Sequence, residues 1–474
     1  MPRFGRLFLN TALATIAVVG AAQAGGFQRG TADTDILFES GTVNFRAGLT
    51  HIDPRRGYES INGVEGEFGE YTGTYNIPSF AIGAGNEVVG CAFHYTESFA
   101  ADADYSGSPG GALPSQNAAT QSTSNADRLN LTSGLTSRTE TIGFDSDEFG
   151  ATCRVSYSAD VGRFSLLGGV FFEDFEFRGS SLGERSLNVL LGPQLGGALN
   201  RQGTSVILPT EVSVNSRGDY EAGYRLGLAY EKPEIALRIQ GIYRSEIEHD
   251  SISGGGTFDP STAFVRLANG ATVSVPVFLT NPALGLTPAQ RAQIGGTLGA
   301  LGSSPALDVD SSLNTAISPQ SFTLNAQTGI AEGTLLLASL RWTDWSTNDA
   351  VVSTINGTLA GQAFTSSSYA PYNWRDGYTA SLGIGRAFNE FVSGAISVGY
   401  DRGVSTGSET TYTDLYTLAG GFSFKDNKLA ELRVGGLIGY WTDGEQRIED
   451  GAYFDGEVGN DWIYGATASV KFNF

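Results

Sequence analysis

Trp462-Ile463-Tyr464-Gly465-Ala466-Thr467-Ala468-Ser469-Val470-Lys471-Phe472-Asn473-Phe474 closes the chain, and its residues alternate in character. Trp462, Tyr464, Ala466, Ala468, Val470, Phe472 and Phe474 fall on one face of an extended strand. Ile463, Gly465, Thr467, Ser469, Lys471 and Asn473 fall on the other. Successive side chains of a strand point to opposite faces. One face is therefore apolar with aromatic ends, and the other is almost wholly polar or small. That division suits a strand with lipid on one side and a polar lumen on the other.

The same period-2 pattern recurs along the chain. Candidate strands lie at 41–52, 74–84, 86–98, 140–157, 163–177, 218–230, 234–248, 320–331, 333–345, 374–388, 390–402, 414–425, 429–442 and 461–474. They number fourteen, and transmembrane barrels of this kind have an even count. In the clearest, Tyr220, Ala222, Tyr224, Leu226, Leu228 and Tyr230 face one way, with Glu221, Gly223, Arg225, Gly227 and Ala229 opposite. Short turns (83–86, 159–162, 231–233, 331–333, 388–390, 425–428) alternate with long connections near 53–73, 99–139, 178–217, 249–319, 346–373, 403–413 and 443–460. The fold expected is all-β, a 14-stranded antiparallel transmembrane β-barrel over residues 41–474. Its short turns would be periplasmic and its long loops extracellular. A terminal phenylalanine closing such a strand resembles the assembly signal of Gram-negative outer-membrane proteins.

The N-terminus fits that compartment. Arg3 and Arg6 precede a mostly apolar run, Leu7 to Val19, and Ala22-Gln23-Ala24 has the small residues of a cleavage site. Residues 1–24 are expected to be a signal peptide and 25–40 a short luminal plug, or hatch. No later segment offers ~20 consecutive apolar residues for a membrane helix. The net charge is −21. Phosphate binding rests on Lys and Arg, so nucleic acid is not an expected partner. The two cysteines, Cys91 and Cys153, lie in adjacent candidate strands, in phase with apolar residues. A cross-strand disulfide and a pair of buried thiols are both compatible with that placing.

Two long connections carry apolar stretches that do not read as strands. One is 182–199, with Leu190, Leu191 and Leu195. The other is 287–301, where Thr287 is a helix cap, Pro288 begins the helix, and Ile294, Leu298 and Leu301 share one face. These leucines and the isoleucine are candidates for external substrate capture. The alternative is that the two apolar faces pack together and close the barrel mouth.

Gly333-Thr-Leu-Leu-Leu-Ala-Ser-Leu-Arg-Trp-Thr-Asp-Trp-Ser346 follows Ser318-Pro319-Gln320-Ser321-Phe322. Tyr243-Arg-Ser-Glu-Ile-Glu-His-Asp250, Asn373-Trp-Arg-Asp-Gly-Tyr378, Gly399-Tyr-Asp401 and Phe45-Arg-Ala-Gly48 stand around it. Over residues 41–474 the chain resembles the FadL/TodX-type outer-membrane transporters of long-chain fatty acids and other hydrophobic compounds. The resemblance implies a hatch within the lumen, capture between two extracellular loops (178–217 and 249–319), and an inner pocket near the mature N-terminus. It also implies sideways release at a kinked third strand, 86–98. Phe27, in Gly25-Gly26-Phe27, and a luminal aromatic such as Phe171 are the candidates for the inner pocket. Only residues 25–40 precede the first strand, and Asn-Pro-Ala occurs at 281–283, inside a loop, so the expected hatch is short.

An enzyme such as a barrel lipase would need a serine, a histidine and an orienting group. The histidines are His51, His94 and His249; the first and last sit at strand ends, where a girdle or loop role is the default, and His94 is in luminal phase. No pair of histidines stands at metal-ligand spacing. No catalysis, metal or cofactor is expected. Luminal arginines (Arg154, Arg225, Arg238, Arg244, Arg341, Arg375) would either attract carboxylates or pair with wall Asp and Glu. The function expected is passive uptake of long-chain fatty acids or similar hydrophobic compounds by a monomer in the Gram-negative outer membrane, among its lipid and lipopolysaccharide. The alternative is a diffusion porin for small polar or anionic solutes.

Overall fold

Fourteen strands pair in chain order and the last returns to the first. The computed structural model describes residues 26–66, 68–108, 111–114, 136–359, 362–409, 412–426 and 429–474. The expected signal peptide, 1–24, lies outside them. The barrel strands are β1 (Val43–Pro54), β2 (Tyr75–Gly85), β3 (Val89–Asp104), β4 (Thr136–Ala159), β5 (Gly162–Glu173), β6 (Glu221–Lys232) and β7 (Leu237–Arg244). They continue as β8 (Ser321–Ala331), β9 (Thr334–Thr343), β10 (Gly377–Ala387), β11 (Val392–Arg402), β12 (Leu415–Asp426), β13 (Ala430–Trp441) and β14 (Asp461–Asn473). Closure runs from Asn44↔Asn473 to Pro54↔Ile463. Beyond it, the Thr42 and Val43 N–H groups donate to the carbonyl of Phe474 at 2.8 and 3.2 Å. In lipid every backbone group needs a partner, and a closed ladder supplies one without leaving an edge.

The alternation sorts the two faces as the sequence suggests. Leu226 and Leu228 stand 55% and 68% exposed on the outer surface, while Arg225 and Gln240 are buried inside. The outer belt is apolar because its solvent is lipid.

The long connections are not plain loops. Six further strands (Glu176–Ser186, Ser205–Arg217, Ser253–Pro260, Leu307–Leu313, Ala350–Leu359 and Gln362–Pro371) continue the wall upward from the long β4. Residues 182–186, expected to be irregular, end the first of them. In Ser253–Pro260 the sequence is rich in Ser and Gly on both faces and the period-2 contrast is weak. Three helices cover this extension: α1 (Gly192–Arg201), α2 (Val275–Leu279) and α3 (Pro288–Gly302). Helix α3 starts as its sequence predicts. Thr287 and Gln290 form a reciprocal capping box, with Pro288 in the first turn.

The segment before β1 enters the lumen. Residues Thr34–Phe38 form one short helical turn. Ile36 and Leu37 pack on the luminal side chains of Ala81, Ala92, Leu167 and Ala229. Arg46 binds Asp33 and Glu39, Arg238 binds Asp35 at 2.9 Å, and Lys471 binds Glu39 at 2.8 Å.

Candidate functional site

Above this segment lies a cavity of about 170 Å³. Its floor is Phe27, which is 4% exposed. The Phe27 ring lies 4.8 Å from Trp374, 5.7 Å from Tyr412, 5.8 Å from Trp345 and 5.9 Å from Phe144. Tyr372 stacks on Trp374 at 4.4 Å. Gly26 fixes the approach. Its φ is +69°, and a Cβ there would fall 2.6 Å from Trp345 Nε1. A side chain at this position would run into the Trp345 ring, and the left-handed φ favours glycine. The roof is a small four-stranded sheet of loop residues, 58–61, 64–65, 444–446 and 456–458, which brings Tyr58 and Gln446 over the cavity.

The polar atoms of this wall are tied back. Trp374 Nε1 donates to Glu409 at 2.8 Å, and Tyr58 donates to Gln446 at 3.0 Å. Burial pushes the hydroxyls of Tyr105, Tyr372 and Tyr412 far above the ordinary tyrosine range; for Tyr412 the nearby Asp401 carboxylate adds to the effect. Those rings stay neutral at any physiological pH.

One side of the cavity meets a break in the barrel wall. Strands β2 and β3 pair only from Ser79↔Thr96 to Gly85↔Gly90. Above that point Tyr75–Pro78 and Glu97–Asp102 run without a ladder, and Pro78 has no N–H to give one. On its other edge β3 bulges at Ser98, between Glu97↔Asp147 and Phe99↔Ser146. Such a bulge bends its strand. The N-terminal segment binds at the bulge: the Arg29 N–H donates to the Ser98 carbonyl at 2.8 Å, and the Ala100 N–H to the Phe27 carbonyl at 3.1 Å. A side chain crosses the break, since the Asp102 N–H donates to the Tyr75 hydroxyl at 2.9 Å. Tyr75 and Ile77 from one side and Ala101, Asp102 and Ala103 from the other all line the cavity.

Below the cavity the lumen holds a buried charge cluster. Glu148 binds Arg225 and Arg244, and Glu173 binds Arg244. His94 lies 2.9 Å from Arg225. Phe171, expected near the inner pocket, sits here instead, under the guanidinium groups of Arg225 (4.2 Å) and Arg244 (4.6 Å). His249 is not at the surface; it is 1% exposed beside Glu173 and Ser318. Both partners approach the same nitrogen, Nε2, at 3.6 and 3.5 Å. A relay needs the acid and the hydroxyl on opposite nitrogens, so this grouping is not one. His51 bonds Asn76 at 2.9 Å. The remaining luminal arginines also have protein partners: Arg341 donates to Gln28, Arg154 to the Asn86 carbonyl, and Arg375 to the Gly403 carbonyl.

The capture candidates lie elsewhere. Leu298 and Leu301 are buried in a second apolar cluster with Leu199, Leu208, Phe258 and Phe278, and Leu191, Leu195 and Ile294 pack on it partly buried. The side chain of Leu190 lies outside the described residues. These residues hold the helices onto the extension, and none lines the aromatic cavity. Cys91 and Cys153 are joined as a disulfide between directly paired positions of β3 and β4. The residues missed by sequence reasoning are Trp345, Trp374 and Tyr412. The two tryptophans stand inside the stretches 333–346 and 373–378, so the signal was present without its meaning.

A closed, lipid-belted barrel of fourteen antiparallel strands, with an N-terminal segment in its lumen, is a transmembrane β-barrel of the outer-membrane type. Compared by sequence, the chain matches no protein-family model and no curated protein. Compared by structure, it resembles a Pseudomonas aeruginosa FadL homologue with TM-score 0.57 and 15% identity, covering 96% of each chain. It is similar to the monoaromatic hydrocarbon channel CymD (TM-score 0.55, 14% identity, 92% of this chain and 90% of that one). It is also similar to the toluene transporter TodX of Pseudomonas putida (TM-score 0.55, 14% identity, 93% and 92%). The chain thus has the fold of the FadL- and TodX-type barrels.

Proposed function

We propose that this protein carries hydrophobic compounds, long-chain fatty acids or molecules like them, passively across the Gram-negative outer membrane. Substrate enters at the long-loop end, rests in the aromatic cavity over Phe27, and leaves sideways between β2 and β3. The observation that carries this is the contact between cavity and break: the same residues line both. The physics fits. Moving a CH₂ group from water to an apolar site gains ~0.8 kcal/mol, so capture is easy and release into water is costly. An exit into lipid avoids that cost. An apolar cavity of ~150 Å³ is already enough to hold benzene. The solved proteins of the same fold include a toluene transporter and a monoaromatic hydrocarbon channel, which supports an apolar cargo. A diffusion porin fits less well, because the N-terminal segment lies in the lumen and the luminal charges pair with one another.

The test is binding of a radiolabelled sixteen-carbon acid to the mature protein in detergent, beside ion conductance in a planar bilayer. Saturable binding with little conductance is the expected result. Steady conductance without binding would sink the proposal and leave the porin.

A further inference from the structure

The break between β2 and β3 is not an open hole. It is bounded below by the last ladder pair, Ser79↔Thr96, and above by the bridge Thr72↔Ala103. Along the free edge of β3 three alternate N–H groups find three different kinds of partner. Ala100 donates to the carbonyl of Phe27 in the N-terminal segment at 3.1 Å, and Asp104 to the carbonyl of Tyr71 at 2.8 Å. Asp102, between them, donates to a side chain, the hydroxyl of Tyr75, at 2.9 Å. The same hydroxyl lies 3.5 Å from the Asp102 carbonyl. Tyr75 stands on β2. Its ring therefore spans the gap, and its hydroxyl takes the place that a backbone carbonyl fills in a ladder.

The ring is held on a second side. Arg29, from the N-terminal segment, lays its guanidinium over the Tyr75 ring at 3.9 Å. A cation in that position is attracted by the electron-rich ring face. The ring is buried, 6% exposed, and it lines the aromatic cavity beside Ile77 and Asp102. A backbone ladder would close this gap more firmly, but Pro78 has no N–H to contribute to one. A ladder also opens only when several bonds part together. A phenol held by its hydroxyl and by one guanidinium swings clear by rotating about its own side-chain bonds. We propose that Tyr75 is the gate of the wall opening. Latched to the Asp102 N–H and to Arg29, it closes the cavity toward the lipid; released, it clears the gap for an apolar molecule. The gate rests on the uptake function proposed above and names the residue that controls its sideways step.

The experiment reads rates. cis-Parinaric acid, a fluorescent polyene, is mixed by stopped flow with the full mature chain in a non-ionic detergent. Energy transfer from tryptophan reports its arrival, since Trp374 and Trp441 line the cavity. Displacement by excess palmitic acid gives the departure rate. A lowered gate speeds passage in both directions, whereas loss of a binding contact acts mainly on departure. Tyr75→Phe keeps the ring and loses the latch. It is expected to raise the association rate constant about fivefold, the worth of one ordinary hydrogen bond, and the dissociation rate constant with it. Should that variant fail to fold, Arg29→Met, which frees the ring face, is expected to raise both rates in the same direction. An association rate equal to that of the wild type in the folded variant, whether or not departure changes, overturns the gate and leaves the uptake function standing. Failure of the wild type to bind the probe overturns both.

Discussion

Phe27 and Leu298 are both buried apolar residues, yet their surroundings assign them opposite consequences. Phe27 is the floor of a cavity, and its ring meets four other aromatic rings at 4.8–5.9 Å. Aromatic pairs of this kind contribute ~0.5–1.5 kcal/mol beyond their buried area. Phe27→Ala should therefore weaken binding of an apolar probe about tenfold while the barrel stays folded. Quenching of tryptophan fluorescence gives the affinity, since Trp374 and Trp441 line the site. Leu298 is 2% exposed inside the cluster that fastens α3. A carboxylate there costs roughly 3 kcal/mol or more. Leu298→Asp should loosen the helices, so that limited proteolysis cuts within 275–302 in the variant and not in the wild type. Intact protection of that segment would return Leu298 to the capture role its sequence position suggested.

At the scale of the element, β3 does two jobs. Its lower half pairs with β2 on one side and is stapled to β4 by the disulfide on the other; its upper half leaves β2 and takes the N-terminal segment instead. The two cysteines close a loop of 62 residues, worth about 4 kcal/mol by chain entropy. Cys91→Ser with Cys153→Ser should lower the midpoint of denaturant unfolding and leave apolar-probe affinity unchanged, because the disulfide lies away from the cavity. Equal midpoints would show that the ladder alone fixes β3. The barrel strands were legible because lipid and lumen impose opposite demands on alternate residues, as at Tyr224 and Arg225. Strand 253–260 was not, since Ser253-Gly-Gly-Gly256 faces neither lipid nor a deep core and carries no contrast. The disulfide partners could be placed side by side from strand order, but their oxidation could not. Trp345 and Trp374 were visible only as motif residues, since long-range packing, not local pattern, brings them onto Phe27.

For the whole molecule the question is whether the lumen conducts, and the answer turns on how the N-terminal segment is held. Three of its carboxylates, Asp33, Asp35 and Glu39, pair with Arg46, Arg238 and Lys471 on the wall. Burial alone would raise the Glu39 pKa, but Lys471 and Arg46 outweigh it and hold the carboxyl below the ordinary carboxylate range. The sign follows from linkage. A group whose folded pKa is depressed contributes anchoring that is complete above its ordinary value, ~4.3 for glutamate, and is lost as pH falls through the folded value. Single-channel conductance should therefore stay low and flat from pH 8 to pH 5 and rise only below about pH 4. Replacing Asp33, Asp35 and Glu39 together by Asn, Asn and Gln should give the open level already at pH 7, without changing the strand content seen by circular dichroism. A conductance that is high at pH 7 in the wild type, or unaffected by the triple substitution, would mean that these ion pairs do not close the lumen. The barrel would then pass water and ions around the segment, and the apolar route through the wall would run beside a polar one.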